Sequence, residues 1–401
     1  MSEAGEASAA GAAVDGGRRV DWIELFFDLA MVAFITQLAH GLHGAPGPAE
    51  FATFVAWSIP AWWAWCNIMV CVNVLPELPR RIIGPALLAA MATIGVMAAS
   101  VTVTADRAWA FALANVALRL ILLGLWVYRA RARVRASTAP DDRPHIARTV
   151  VYNGVTAVIW LVSVFVPEPV NFVLWGIAIL IEVLLLRVGS NSVFRTLRVD
   201  VAHASERLGL FMIILMGESV LSLVAALSES FTPAAALAAL LGFVAVGLIA
   251  WGFFVGGVGV IEQGLEALNE RHSVAGLLDT VMFLPYLVVV SVTMFAAGLA
   301  TAVADPTEPL SYGALVCLCG GLALFYATNA LAVLRYGTPL RQAVRWASVG
   351  VLAPVLIGVI LAFAVPGASG LLALALVAAA VVAVVLISAV SARRERLVRT
   401  S

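Results

Sequence analysis

The chain has 401 residues, of which 62% are hydrophobic and 12% charged. A soluble protein has about 45–50% apolar and ~25% charged residues, so a chain this apolar has too little polar surface to cover its core. Soluble enzymes, nucleic-acid readers and disulfide scaffolds are excluded as classes, and the apolar residues must face lipid. The formal net charge is zero and every basic residue is Arg, so the placement of charge is more informative than its sum.

The first residues, 1–17, are Ala/Gly/Ser-rich and acidic, which predicts a disordered tail. They do not read as a signal peptide, because no basic stretch opens them and the next apolar run carries Glu24 and Asp28. A membrane-spanning helix needs about 20 mostly apolar residues. Twelve such runs follow: 22–42, 51–74, 82–104, 108–128, 149–166, 170–187, 208–228, 234–258, 276–302, 311–334, 344–365 and 369–391. The uncharged stretch 346–392 is too long for one span, and Pro366-Gly367 is its natural break. Cys66, Cys71, Cys317 and Cys319 fall inside apolar runs without metal-ligand spacing and read as buried thiols.

Loop charge then sets orientation. With twelve spans the loops alternate, and 22 of the 24 arginines fall at the two termini and in the even-numbered loops. The exceptions are Arg107, in an odd-numbered loop, and Arg119, within a run. Positive residues stay cytoplasmic. The expected fold is therefore an all-α polytopic transmembrane helix bundle of about twelve spans with both termini cytoplasmic. Its halves would be 18–206 and 207–392, followed by a short basic tail, 393–401. Asp28 precedes Trp62 by 34 residues and Glu218 precedes Trp251 by 33, a spacing that suggests two six-helix repeats.

A charge at the centre of a transmembrane helix costs roughly 2.5–3.5 kcal/mol on insertion scales, and persists when paired or useful. Glu24 and Asp28 are i,i+4 neighbours on one face of the first helix, with Gln37 and His40 further along. In the seventh run Arg207, Glu218, Ser222 and Glu229 fall on one stripe, with Ser219 beside Glu218. Arg119 lies at mid-depth in the fourth run, which predicts an Arg119–Glu218 pair that leaves Asp28 the freer carboxylate. His203, Glu206 and Arg207 read as a solvated helix end. Gly217 reads as a close-packing position, and Pro285 as a bend in the ninth helix. No phosphate loop, G-x-S-x-G or H-E-x-x-H is present.

Trp22-Ile-Glu-Leu-Phe-Phe-Asp-Leu-Ala-Met-Val32 with Thr36-Gln37-Leu38 and His40 resembles the opening signature of the bacterial low-temperature-requirement protein A family. His203-Ala-Ser-Glu-Arg-Leu-Gly-Leu-Phe, running to Leu215-Met-Gly-Glu-Ser-Val220, resembles its second signature, with Met216 in place of the usual Leu. Near the ninth helix the chain reads Phe283-Leu284-Pro285 where a His-Leu-Pro-like motif is expected. The resemblance implies a multi-pass inner-membrane protein linked to growth in the cold, and supplies no substrate. The matched positions are Glu24, Asp28, Gln37, His40, Arg207, Glu218 and Ser219.

The leading expectation is a transporter or channel for a proton or small cation. The binding candidates are Glu24, Asp28, Gln37, His40, Glu218, Ser219 and Ser222, with Arg119 and Arg207 as intramembrane charge partners. The alternatives are a non-catalytic membrane protein of cold or stress adaptation and, ranked lower, an intramembrane enzyme acting on lipid. Expected partners are the bilayer and a small ion or molecule, with a homo-oligomer left open. No nucleic acid, cofactor or metal is expected.

Overall fold

A computed structural model describes residues 20–75, 78–102, 105–135, 150–193, 200–270, 280–337 and 340–400, so the 1–17 tail lies outside the described residues. The described elements are helical. They are α1 (Trp22–His40), α2 (Pro48–Val74), α3 (Arg80–Ala99) and α4 (Ala108–Arg135). Next come α5, a π turn (Val151–Val155) leading into Thr156–Ser163, α6 (Val170–Val193) and α7 (Val201–Glu229). Then α8 (Pro233–Gly252) runs through the π turn Phe253–Gly257 into Val258–Glu270. Last are α9 (Leu284–Ala304), α10 (Tyr312–Leu315, a π turn Val316–Gly320, then Gly321–Arg335), α11 (Leu340–Val359 with the π turn Ile360–Ala364) and α12 (Gly370–Thr400).

Among the described residues ten helices are long and apolar enough to cross a membrane, against the twelve runs counted in the sequence. The other two apolar helices, Val151–Ser163 and Val170–Leu186, are shorter. At 1.5 Å per residue the first rises only about 20 Å, below the ~30 Å of a hydrocarbon core. Helix starts follow local chemistry. Thr232 and Ser311 accept from the backbone N–H groups of Ala235 (3.1 Å) and Ala314 (3.0 Å), and Pro48 and Pro233 occupy first-turn positions where no N–H is needed. The break before α12 falls at Pro366-Gly367 as read.

The packing order in the first half is α1 on α3, α3 on α4, α4 on α5 and α5 on α6. In the second half α7 packs on α9, α9 on α10, α10 on α11 and α11 on α12. The first helices of the two sets, α1 and α7, pack on each other. They run the same way: Val20 N–H donates to Glu206 at 3.3 Å near their starts, while their far ends bring His43 within electrostatic reach of Glu229. At that far end the α1–α2 loop meets the α9–α10 loop through Gly44 N–H to Thr301 Oγ1 (2.9 Å) and Ser311 Oγ to Gly44 O (3.0 Å). The α9–α10 loop is stitched in turn to the start of α12 by Gly370 N–H to Glu308 O, 2.9 Å.

Close helix crossing is supplied by Gly298 and Gly321. A Cβ on Gly298 would lie 2.5 Å from the Leu318 nitrogen, and one on Gly321 would lie 2.6 Å from the Phe295 nitrogen, so α9 and α10 meet backbone to backbone. Gly217 differs from the packing role expected of it, because a Cβ there would meet open space. Pro285 interrupts rather than bends: the helical turn at 280–282 breaks at Phe283, and α9 starts again at Leu284. The broken turn frees the Met282 carbonyl, which accepts the Trp62 indole N–H at 2.7 Å. The four cysteines are free and buried.

Candidate functional site

α2 is the rod on which two buried polar centres hang, and Trp57, Trp62, Trp63 and Trp65 along it are all buried. Residues two apart on a helix point about 200° apart, so Trp63 and Trp65 serve opposite sides of it.

The first centre joins α1, α2 and α7. Arg207 donates from Nε to Asp28 Oδ2 (3.1 Å), from Nη2 to Asp28 Oδ1 (2.9 Å) and from Nη1 to Glu24 Oε2 (3.3 Å). Trp65 Nε1 donates to Asp28 Oδ1 at 2.8 Å. His203 Nε2 lies 3.2 Å from Glu24 Oε2, within ion-pair distance but off the direction of a well-aligned hydrogen bond. Glu24, Asp28, His203 and Arg207 are each 1% exposed or less. The guanidinium also sits 5.9 Å from the Phe27 ring centroid and 5.8 Å from that of Trp65, so its edge meets carboxylates and its faces meet rings.

This geometry follows from matched spacing. Glu24 and Asp28 are i,i+4 on α1, His203 and Arg207 are i,i+4 on α7, and the two helices run parallel. Each acid therefore meets a basic partner at its own level. Asn73, near the end of α2, fixes the entry to α7. Its Oδ1 accepts from Asp200 N–H (3.0 Å), its Nδ2 donates to Asp200 O (2.9 Å), and Nδ2 lies 3.3 Å from His203 Nδ1. Asp200 itself caps α7 by accepting from His203 N–H at 3.0 Å.

The second centre joins α2, α4, α5 and α6. Arg119 donates from Nε to Glu182 Oε1 (2.7 Å) and from Nη2 to Glu182 Oε2 (3.2 Å), both residues being fully buried. Trp63 Nε1 donates to the same carboxylate. Asn67 Nδ2 lies 3.5 Å from it, and Tyr152 OH donates to Asn67 Oδ1 at 2.9 Å.

Several sequence expectations are corrected by these contacts. Arg119 pairs with Glu182, not Glu218, because α6 rather than α7 packs beside that face of the first half. Asp28 is not the freer carboxylate, since it accepts three N–H groups. His203 and Arg207 are buried rather than a solvated helix end; only Glu206 of that trio is exposed. Glu218 and Ser222 are half-buried, and Glu218 makes no side-chain ion pair among the described residues. Ser219 is buried away from both centres. It lines a small, mostly apolar cavity between α7, α8, α9 and α10, together with Ser291 and Phe295. Gln37 and His40 are exposed, and His40 meets His43 edge to face at 5.6 Å.

Sequence reasoning missed Glu182, Trp63, Trp65, Asn67 and Asn73. The burial cost that singled out Glu218 applies equally to Glu182, the one acid in the run 170–187. Nothing in the sequence marks which tryptophan carries a partnered indole. Among the described residues no group of three or more His, Cys, Asp or Glu side chains is arranged to hold a metal ion.

Among the described residues, ten helices of membrane length packed around buried, paired charges define a polytopic helical membrane protein. The chain belongs to the family described as bacterial low temperature requirement A protein (LtrA), whose match covers residues 19–390, nearly its whole length. No curated protein and no solved structure matches the chain.

Proposed function

We propose that the protein is an inner-membrane transporter or channel that moves a proton or small cation along the α1–α7 contact. The observation that carries this reading is the convergence of two buried carboxylates, Glu24 and Asp28, on the one arginine Arg207, with His203 beside Glu24. Arg207 thus bridges two acids of α1, and a proton taken up by either would leave the other paired with it. A buried charge set of this kind is kept at a cost, which function repays.

Further polar groups lie along the same two helices. Glu218 is eleven residues beyond Arg207, about 16 Å of rise, and Glu229 is as far again. At that far end stand His40, His43 and Glu229. A carrier or channel needs such stepping points between an inner site and the opposite face. The Arg119–Glu182 centre balances one charge with one, and we assign it to holding α2, α4 and α6 together.

In this reading the chain has twelve spans in two six-helix halves, with both termini cytoplasmic. The repeated packing order of the two sets of helices supports the halves. The loops after α1, α9 and α11 meet at one end of the bundle, which supports the alternation. The deciding experiment is purified protein in liposomes under an imposed pH gradient, screened for proton, metal-cation and organic-ion flux. We expect flux that Asp28→Asn abolishes in monodisperse protein. Absence of every flux from folded protein would overturn the reading.

A further inference from the structure

We propose that Glu218, at membrane depth on α7, is the group that carries the transported proton, and that the charge centre around Arg207 is a fixed joint between α1 and α7. This assignment rests on the transport reading above and deepens it, naming the ligand as a proton and the side chain that takes it.

The other acids within the spans are committed. Asp28 and Glu24 meet Arg207, and Glu182 meets Arg119 and Trp63. Glu218 has no hydrogen bond and no ion pair among the described residues. It stands seventeen residues from the start of α7 and eleven from its end, about 26 and 16 Å of rise, and so within the hydrocarbon layer. A carboxylate without a cation is costly at that depth, whereas the carboxylic acid is neutral.

Its direction follows from the helix period. Eleven residues make three turns and about 20°, so Glu218 points nearly as Arg207 does, toward α1. Eleven residues beyond Asp28 on the parallel α1 is Ala39, buried and small. Back toward Arg207 the same face of α7 carries Phe211 and Ile214, which are apolar. Onward it carries Ser222 one turn away and then Glu229, within electrostatic reach of His43. Glu218 therefore exchanges its proton with the His43 end, and an apolar layer separates it from the inner charges.

Among the described residues no other charge stands at its level. α8 over Pro233–Gly252 and α9 contain no charged residue, and Tyr286 of α9 is engaged with Ser58 at 2.8 Å. On α1 the titratable groups are Glu24 and Asp28 at the inner centre and His40 at the far end. Where α8 continues, Val258 already lies against Gly209, so Glu262, Glu266 and Glu270 stand toward the start of α7. The polar side chains on this face of α7 near Glu218 reduce to its own carboxyl and the Ser222 hydroxyl. Divalent cations take about six oxygens or more, but a proton needs one. Uptake from water forms one O–H bond on Glu218, and release to water breaks it.

The test is labelling of the full chain in lipid nanodiscs with dicyclohexylcarbodiimide, an apolar reagent that adds whole to a protonated carboxyl within lipid. Beside Glu218 the Gly217 position is bare, and a Cβ there would meet open space, so the reagent has a way in from the bilayer. Peptide mass spectrometry should find the adduct on Glu218 and not on Asp28 or Glu182. Its rate should fall severalfold from about pH 6 to pH 8, above the ordinary carboxylate range near 4, and should not change with added sodium or magnesium. An adduct on Asp28 or Glu182 with none on Glu218 overturns the assignment, and that measurement needs no variant to fold. Protection by sodium or magnesium at constant pH also overturns it, because the ligand is then a metal cation. Labelling of Glu218 in protein that shows no flux in liposomes removes transport and leaves Glu218 as the proton site. Proton flux that survives complete labelling, or survives Glu218→Gln, does the reverse.

Discussion

Trp63 and Trp65 stand two residues apart on α2 and give their indole N–H groups to different carboxylates, Glu182 of α6 and Asp28 of α1. One helix thereby completes two buried charge centres on its opposite sides. Each indole supplies a donor that lipid cannot, and each ring fills the space around its centre: Trp65 stacks on Trp62 at 4.7 Å and Trp63 on Phe283 at 6.0 Å.

Replacing either indole by phenyl keeps most of the packing and removes one donor to a buried carboxylate. Trp65→Phe and Trp63→Phe should each cost about 1–3 kcal/mol. Trp251, which is 65% exposed, serves as control, and Trp251→Phe should stay within about 0.5 kcal/mol. Thermal unfolding of the purified variants in one detergent measures all three.

Arg119→Leu leaves the Glu182 carboxylate buried without its cation, and should cost about 3–5 kcal/mol. Adding Glu182→Leu should recover part of that loss, because a buried pair exchanged for apolar side chains is often close to neutral. Adding Glu218→Gln instead should recover nothing. A double-mutant cycle that couples Arg119 to Glu218 and not to Glu182 would contradict the contacts seen here.

Outside the spans, burial and the neighbouring His40 hold the His43 imidazole below its ordinary range, with Glu229 opposing the shift. The unfolded chain then binds the proton more tightly than the folded one. The stabilising contribution is complete above the ordinary value of 6.5 and is lost as pH falls through the folded-state value. His43→Gln should flatten the acid limb of a melting-temperature profile from about pH 8 to pH 5. Glu229→Gln should steepen it, since a charge that opposes the shift is gone.

At the α9–α10 crossing there is no room for a side chain. Gly298→Val and Gly321→Val should each destabilise by about 1–3 kcal/mol or more through overpacking. Gly217→Ala, facing open space, should be neutral or stabilising by up to about 1 kcal/mol from helix propensity. Equal losses at all three positions would mean that α9 and α10 do not meet as described.

A tag at Thr307, in the loop between α9 and α10, should be reached only from outside the cell, and one at the C-terminus only from the cytoplasm. The equivalent tag at Ser137 falls outside the described residues and tests the same alternation. Labelling of Thr307 and the C-terminus from one side would refute the proposed span count.

The sequence by itself determined the class of protein, the positions of the helices and the identity of most buried charges. These follow from quantities local to the chain: the length of an apolar run, the cost of a charge within it, and the i,i+4 register of Glu24 with Asp28. The sequence could not decide partners. Arg119 and Glu218 share a depth in their runs and on that ground alone appeared matched, but a pair also needs neighbouring helices, and only the packing of α4 on α5 and of α5 on α6 brings Glu182 to Arg119. His203 has the spacing of an ordinary helix end, and its burial comes from Asn73 on a helix 130 residues away in the chain. Helix lengths come from local free energies and can be read locally. Which side chain neutralises which is set by the order in which the helices pack, and that order is a property of the whole fold.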